Sequence, residues 1–438
     1  MSTTRAPEQH ATGRPRGRRI ALIDRPWIGY RSVMLATPLA LSTPEEIRGV
    51  LADYSSDHPT APLAGRIDEQ AGRWVPVPRS ERDAHLDRVL IRSGDLEPDG
   101  IEAHVAAHVA AAAADLPFVA VVGTRSICVY MSHAVGDATV LSRLMLALAR
   151  ADRRGLEAIG SRAGTATPLR ALVRQLRPHY RQWLEQLRHP VGPPALDTPI
   201  PVGPPAVDTP TPTEPATPPR PTFAGSVLGG PALRELTRWR NANAPGVSLT
   251  SVLTSATYRA LTEQGLNIHG GGCYTLVDIR SQLPRTDELP YGNLAKSLYL
   301  AADLTDPKAV AVALREAMDS ARAIPAIVVA TATSPLRGPA RPQPHPPGAP
   351  LMFTMNSMPT LPGLSDLPWA DDAAGRRFYG VGMSAGPGGI TVFALRMRDH
   401  MQLTASFDET TAAPDAVRRA LEALADPASL MGRRLGSA

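Results

Sequence analysis

The sequence predicts an α/β protein built in two halves, and three observations carry that prediction. Phe118–Val122 and residues 127–131 are near-continuous apolar runs separated by Gly123-Thr124-Arg125, the pattern of strands buried on both faces. Val140, Leu141, Leu144 and Leu148 then recur at the spacing of an amphipathic helix. After a proline-rich interruption the alternation starts again, with periodic apolar positions over residues 249–261 and a strand-like run over 274–279.

Taken in order, residues 1–19 are polar and basic and read as a disordered tail. Residues 20–189 form the first half. Thr43-Pro44-Glu45-Glu46 is a helix start, with a capping threonine, proline in the first turn and acids near the positive end of the helix dipole. Arg66-Ile67 and residues 73–77 read as short strands between turns. Residues 97–114 are alanine-rich and helical, and a further helical stretch runs to about Arg188. Residues 190–200 and 201–211 are a tandem repeat, PVGPPALDTPI and PVGPPAVDTPT, and residues 190–222 together read as an extended, solvated linker. The second half, 223–438, opens with a helical stretch from Ala232. Ser248 then caps the next helix, and strand 274–279 follows. Leu298 to Ala301 is a strand and 308–323 one helix begun by Asp306-Pro307. Met352–Met358 is a strand, residues 389–397 and 401–407 form a hairpin, and 415–424 close the chain as a helix.

Composition narrows the function classes. The chain of 438 residues is long enough for two cores. Its net charge of +5 does not call for nucleic acid, because residues 1–19 alone carry five arginines against one glutamate. No apolar run is long enough to span a membrane, and the N-terminus lacks a signal-peptide core, so a cytoplasmic location is expected. Cys128 and Cys273 sit in strand-like stretches and read as buried free thiols. His104 and His108 have metal-ligand spacing, but no third ligand accompanies them and no metal site is expected.

The chemistry concentrates where the second strand stops. His133 follows it directly, and Asp137 stands four residues on, ahead of the helix. Loops at strand ends carry a disproportionate share of catalytic residues. Asp137 is also well placed as an N-cap, and His133 could be a satisfied core histidine. The full string, Tyr130-Met131-Ser132-His133-Ala134-Val135-Gly136-Asp137-Ala138, resembles the HHxxxDG signature of the condensation-domain and chloramphenicol-acetyltransferase-like acyltransferase superfamily. Ser132 replaces its first histidine and Ala138 its glycine. A second passage, residues 277–284 followed by Tyr291-Gly292-Asn293-Leu294, resembles the C-terminal half of the same superfamily.

The resemblance implies two chloramphenicol-acetyltransferase-like subdomains, each a mixed sheet with helices, with an active-site channel between them. It implies that His133 is the general base, and that Asp137 pairs with Arg280 to hold the loop. Asn293, Thr354, Asn356 and Ser357 are candidates for contacting substrate or the oxyanion. The donor would be an acyl-CoA or a phosphopantetheine-bound acyl chain, with no metal or organic cofactor. The acceptor would be a small-molecule hydroxyl or amine, and an acyl carrier protein is a further partner the resemblance admits. An amide-forming condensation domain and a degenerate, non-catalytic docking module are the alternatives.

A rival signal points to a serine esterase. Gly382-Met383-Ser384-Ala385-Gly386 matches a nucleophile elbow, and His269-Gly270-Gly271-Gly272 matches an oxyanion loop. An elbow needs a helix directly after the serine, whereas Pro387-Gly388-Gly389 and a β-rich run follow. The esterase is therefore the weakest reading.

Overall fold

The computed structural model describes residues 17–94, 104, 114–160, 166–188, 220–283, 292–333, 345–346, 348–359, 361–370, 375–382 and 388–432. Its first half runs β1 (Arg18–Arg19), β2 (Arg31–Thr37), α1 (Pro44–Asp57), β3 (Gly65–Asp68), β4 (Arg73–Pro76), α2 (Arg82–Val89), β5 (Leu90–Arg92), β6 (Phe118–Val122), β7 (Ile127–Ser132), α3 (Ala138–Ala149), α4 (Arg153–Gly160) and α5 (Ala166–Arg188). The second half runs β8 (Pro221–Leu228), α6 (Gly230–Asn243), α7 (Leu249–Glu263), β9 (Gly272–Asp278), β10 (Ala295–Ala301), α8 (Pro307–Asp319), α9 (Ala323–Thr333), β11 (Met352–Met358), β12 (Arg377–Gly382), β13 (Gly389–Arg396), β14 (Met401–Asp408), α10 (Pro414–Ala423) and α11 (Pro427–Gly432).

Two mixed sheets organise these elements, as expected. The first has the order β12-β2-β7-β6-β5 and the second β10-β9-β11-β13-β14-β8. Within the first, β5 and β6 are parallel and the other pairs antiparallel; within the second, β11 runs parallel to both its neighbours. Each sheet has its own apolar core. Phe118, Val129, Leu141 and Leu144 belong to one, Leu253, Phe353, Val392 and Leu403 to the other.

Local chemistry explains where the elements begin. Thr43 and Glu46 form a reciprocal capping box at the start of α1, Ser248 accepts from the Ser251 N–H ahead of α7, and Asp306 caps α8. β6 and β7 are buried along their whole length, as uninterrupted apolar strands should be.

The described residues depart from the sequence reading at several edges. Arg18 and Arg19 pair with Arg73 and Trp74 instead of continuing the tail, since strand pairing asks only for backbone groups. Pro221 and Thr222 belong to β8, opposite Asp408 and Phe407, so the linker gives way to strand before 223. Residues 1–16 and 190–219 lie outside the described residues, as do His108 and most of the helix expected over 97–114. The helix expected over 308–323 is present but ends at Asp319; Ala321, whose φ of 49° no helix accommodates, separates it from α9, which starts at Ala323. The largest departure is β12. It leaves the second half and pairs with β2 at the edge of the first sheet, burying Phe378 in the first core together with Leu361, Leu364 and Leu367.

Candidate active site

β7 delivers His133 to the boundary between the two cores. The Ser132 N–H donates to the Pro117 carbonyl, the His133 N–H to the Tyr30 carbonyl at 2.7 Å, and the Val135 N–H back to the Ser132 carbonyl. The chain therefore turns sharply inside a fixed backbone frame. Gly136 is required there, because a Cβ would fall 2.3 Å from the Val140 Cγ2. Ser132, where the HHxxxDG signature has a histidine, is buried and stays within this turn, its Oγ 3.4 Å from the Ala134 N–H.

Asp137 serves as cap and as ion-pair partner at once. One carboxylate oxygen accepts from the Thr139 N–H at the start of α3. Arg280 donates to both oxygens, at 2.9 and 3.1 Å, and the Leu294 N–H donates to Oδ2. Arg280 also reaches Asp278 and the Gly292 carbonyl, and both charged side chains are under a tenth exposed. A fork-to-fork arginine–carboxylate pair buried this way fixes direction as well as distance. Arg280, just past β9, thereby clamps the histidine loop of the first half to the loop before β10.

That second loop places Asn293 against His133. The Asn293 Nδ2 lies 2.8 Å from the His133 carbonyl and 2.8 Å from the Asp24 Oδ1, while its Oδ1 lies 2.9 Å from the His133 Nδ1. A backbone carbonyl can only accept, so the amide nitrogen must face it and the amide oxygen must face the ring. The His133 Nδ1 is therefore the donor. In the neutral imidazole Nε2 then carries the lone pair, and Nε2 has no partner among the described residues. Trp27 stacks on the ring with centroids 4.5 Å apart and planes 18° apart. Desolvation holds His133 below the ordinary histidine range; the Asn293 hydrogen bond and the Asp137 charge pull the other way but do not win. At neutral pH the ring is an uncharged base with its tautomer set.

Of the residues singled out in the sequence, His133, Asp137, Arg280 and Asn293 come together, and three do not join them. Phe353 and Met355 point into the second core, which leaves Thr354 and Asn356 on the opposite face of β11. The Asn356 Oδ1 accepts from the Leu276 N–H on β9, and Ser357 accepts from the Thr250 hydroxyl at the head of α7. These are ties within the second lobe, and none of the three bonds His133. Asp24 and Trp27 were missed. The one available signal was an acid inside the apolar string Ile20-Ala21-Leu22-Ile23-Asp24, where burial of the charge demands a partner.

The esterase motifs dissolve in the fold. Gly272 opens β9, and a Cβ there would lie 2.2 Å from the Leu300 carbonyl oxygen, so close strand pairing explains that glycine. Ser384 lies outside the described residues, but β12 ends at Gly382 and β13 begins at Gly389, where an elbow needs a helix. Burial raises both cysteine thiols to about 12, which keeps them protonated and poor nucleophiles. No metal-binding cluster occurs among the described residues.

Between the sheets lies a narrow gap lined by Met34, Met358, Phe378, Phe393 and Leu395 with Gln402 and Thr404, with room for about one water molecule. Met34 sits three residues along β2 from Arg31, the partner of Ser132, roughly 10 Å of strand away from the histidine turn.

Several solved structures share this fold. A trichothecene 15-O-acetyltransferase from Fusarium sporotrichioides superposes with a TM-score of 0.57 at 11% identity, over 94% of each chain. The starter condensation domain of rhizomide synthetase, solved with C8-CoA and Leu-SNAC, gives 0.53 at 11% identity, also over 94% of each chain. Polyketide synthase associated protein 5 from Mycobacterium tuberculosis gives 0.52 at 14% identity, over 94% of this chain and 98% of that one. This chain has the condensation-domain fold. No protein-family sequence profile and no curated protein sequence matches it. At these identities the likeness establishes architecture, so activity on the condensation-domain fold has to be argued from the site.

Proposed function

We propose that the protein transfers an acyl group from a CoA or carrier-bound thioester to a hydroxyl or amine, with His133 as general base. The observation that carries this reading is the Asn293 carboxamide. It holds the His133 Nδ1 as a donor and leaves Nε2 as the only basic atom of the ring. Nε2 would take the proton from the acceptor as its oxygen or nitrogen bonds to the thioester carbonyl carbon. As the tetrahedral adduct collapses, the C–S bond breaks and the thiolate recovers that proton from Nε2. The thioester is already activated, so this chemistry asks for no metal or organic cofactor.

Asp137 and Arg280 would act through position, keeping the histidine loop and the Asn293 loop in register. Thr354 is the remaining candidate for an oxyanion donor, because Asn356 and Ser357 are tied elsewhere. The starter condensation domain's complex with C8-CoA supports trying acyl-CoA donors first. A purely non-catalytic docking module gives no reason to fix the tautomer of a desolvated histidine.

The test is mass spectrometry of products from a panel of acyl-CoAs with lipid, sugar and amine acceptors. In it His133→Ala should lose about 10²–10⁴-fold in turnover while keeping the fold. Near-normal turnover by the variant would remove His133 from the mechanism.

A further inference from the structure

α5 carries an apolar face that its own lobe does not cover. Ala171 and Trp183 face the second core, and the indole N–H of Trp183 donates to the Ser320 carbonyl, which fixes how the helix sits. Leu169, Val173, Leu176, Tyr180 and Leu184 point away, each 44–68% exposed. Their spacing of four, three, four and four residues keeps them within an arc of about 80°, at about 100° per residue. Ten large hydrophobic residues are exposed among the described residues, and these five are half of them. A sixth, Val329, lies on α9, the helix that packs against α5.

A second row runs beside the first. Arg170, Arg174, Arg177 and Arg181 each follow an apolar residue by one position, and all four are exposed. None of them meets a carboxylate among the described residues. Arg181 donates instead to the Tyr180 hydroxyl at 2.9 Å. Glu185 is the sole acid on the helix.

We infer that α5 docks the protein on the surface of an anionic lipid bilayer, lying in the interface with its apolar row inserted and its arginines at the phosphates. An apolar row about 22 Å long, on a helix that Pro178 interrupts, with a row of arginines on one side that meet no carboxylate among the described residues, is the pattern of an interfacial helix. The charge selects this occupant. Self-association through the same face would bring together two helices that each carry five arginines and one glutamate, whereas anionic headgroups neutralise that charge. No helix among the described residues is long and apolar enough to cross a membrane, so the contact is with the surface. The inference does not depend on the catalytic reading, and its readout is binding.

The full chain should co-sediment with vesicles of phosphatidylcholine mixed with phosphatidylglycerol, and much less with phosphatidylcholine alone. Salt should weaken the binding. Val173→Glu with Leu176→Glu should abolish it. Arg174→Glu with Arg177→Glu should weaken it at least tenfold, at roughly fivefold per arginine removed. All four positions are exposed, so melting temperatures should hold, and the arginine variant keeps the test decisive if the other pair misfolds. Equal binding to neutral and anionic vesicles, or variants that bind like the parent, would overturn the inference. So would a chain that ignores vesicles but elutes as a dimer which Val173→Glu returns to monomer.

Discussion

His133 and His85 belong to the same half of the chain, and both are held below the ordinary histidine range chiefly by desolvation. His85, on α2, is 3% exposed, and neither of its ring nitrogens meets a partner among the described residues. Arg66 and Arg88 push it further down, Asp115 opposes them, and it reaches about 4. His133 is less enclosed and differs in kind. One nitrogen is committed to Asn293, the ring is stacked on Trp27, and the backbone on either side is bonded to Tyr30 and Asn293. A depressed pKa is thus common to both, and it does not mark a catalytic base. What separates them is a fixed tautomer with the other nitrogen left open, between two lobes.

The largest expected contrast is in turnover. The substitution that costs the His133 variant its activity has no counterpart at His85, where His85→Leu should leave the rate within a factor of about two, the ordinary reach of a distant substitution. A His85 variant as inactive as His133→Ala would erase the distinction.

Next in size is the clamp that keeps the two lobes' loops together. Removing one partner of a buried ion pair costs about 3–5 kcal/mol. Asp137→Ala should cost more than Arg280→Ala, because it also removes the cap on Thr139 and the acceptor for the Leu294 N–H. The double variant should be less damaged than the sum of the two. Denaturant curves for the four proteins check this, and strict additivity would mean the pair does not act as one unit.

The third contrast is in pH dependence. The folded His85 value of about 4 lies below the ordinary 6.5, so between those values the unfolded chain binds more protons. Stability is full above about pH 6.5, falls on acidification, and levels off near pH 4. At about 1.4 kcal/mol per unit the loss approaches about 3 kcal/mol. His85→Leu should flatten that part of the curve. His133 contributes with the same sign but must also be protonated to lose activity, so turnover should fall only below the ordinary histidine range.

These contrasts also show what the sequence could disclose. β6, β7 and α3 were legible because apolar runs and helical periodicity are local, as were the caps at Thr43, Ser248 and Asp306. The pairing of Asp137 with Arg280 came only through resemblance, and its double duty as a cap needed coordinates. Asp24 lies 269 residues from Asn293 in sequence, and nothing local announces that contact. β12 was unreadable for the same reason, since the edge it joins is specified by β2. The exposed row on α5 carries ordinary helical periodicity, so sequence alone cannot say which apolar face is covered.

The central claim is that Asn293 makes His133 a neutral base with Nδ1 protonated and Nε2 open. Nitrogen NMR of protein carrying labelled histidine tests it most directly, with the His133 signals assigned by their loss in His133→Gln. At pH 7 the account predicts a protonated Nδ1 and an unprotonated Nε2, and a mixture of tautomers in Asn293→Ala. A His133 ring protonated at Nε2, or charged at pH 7, would contradict it.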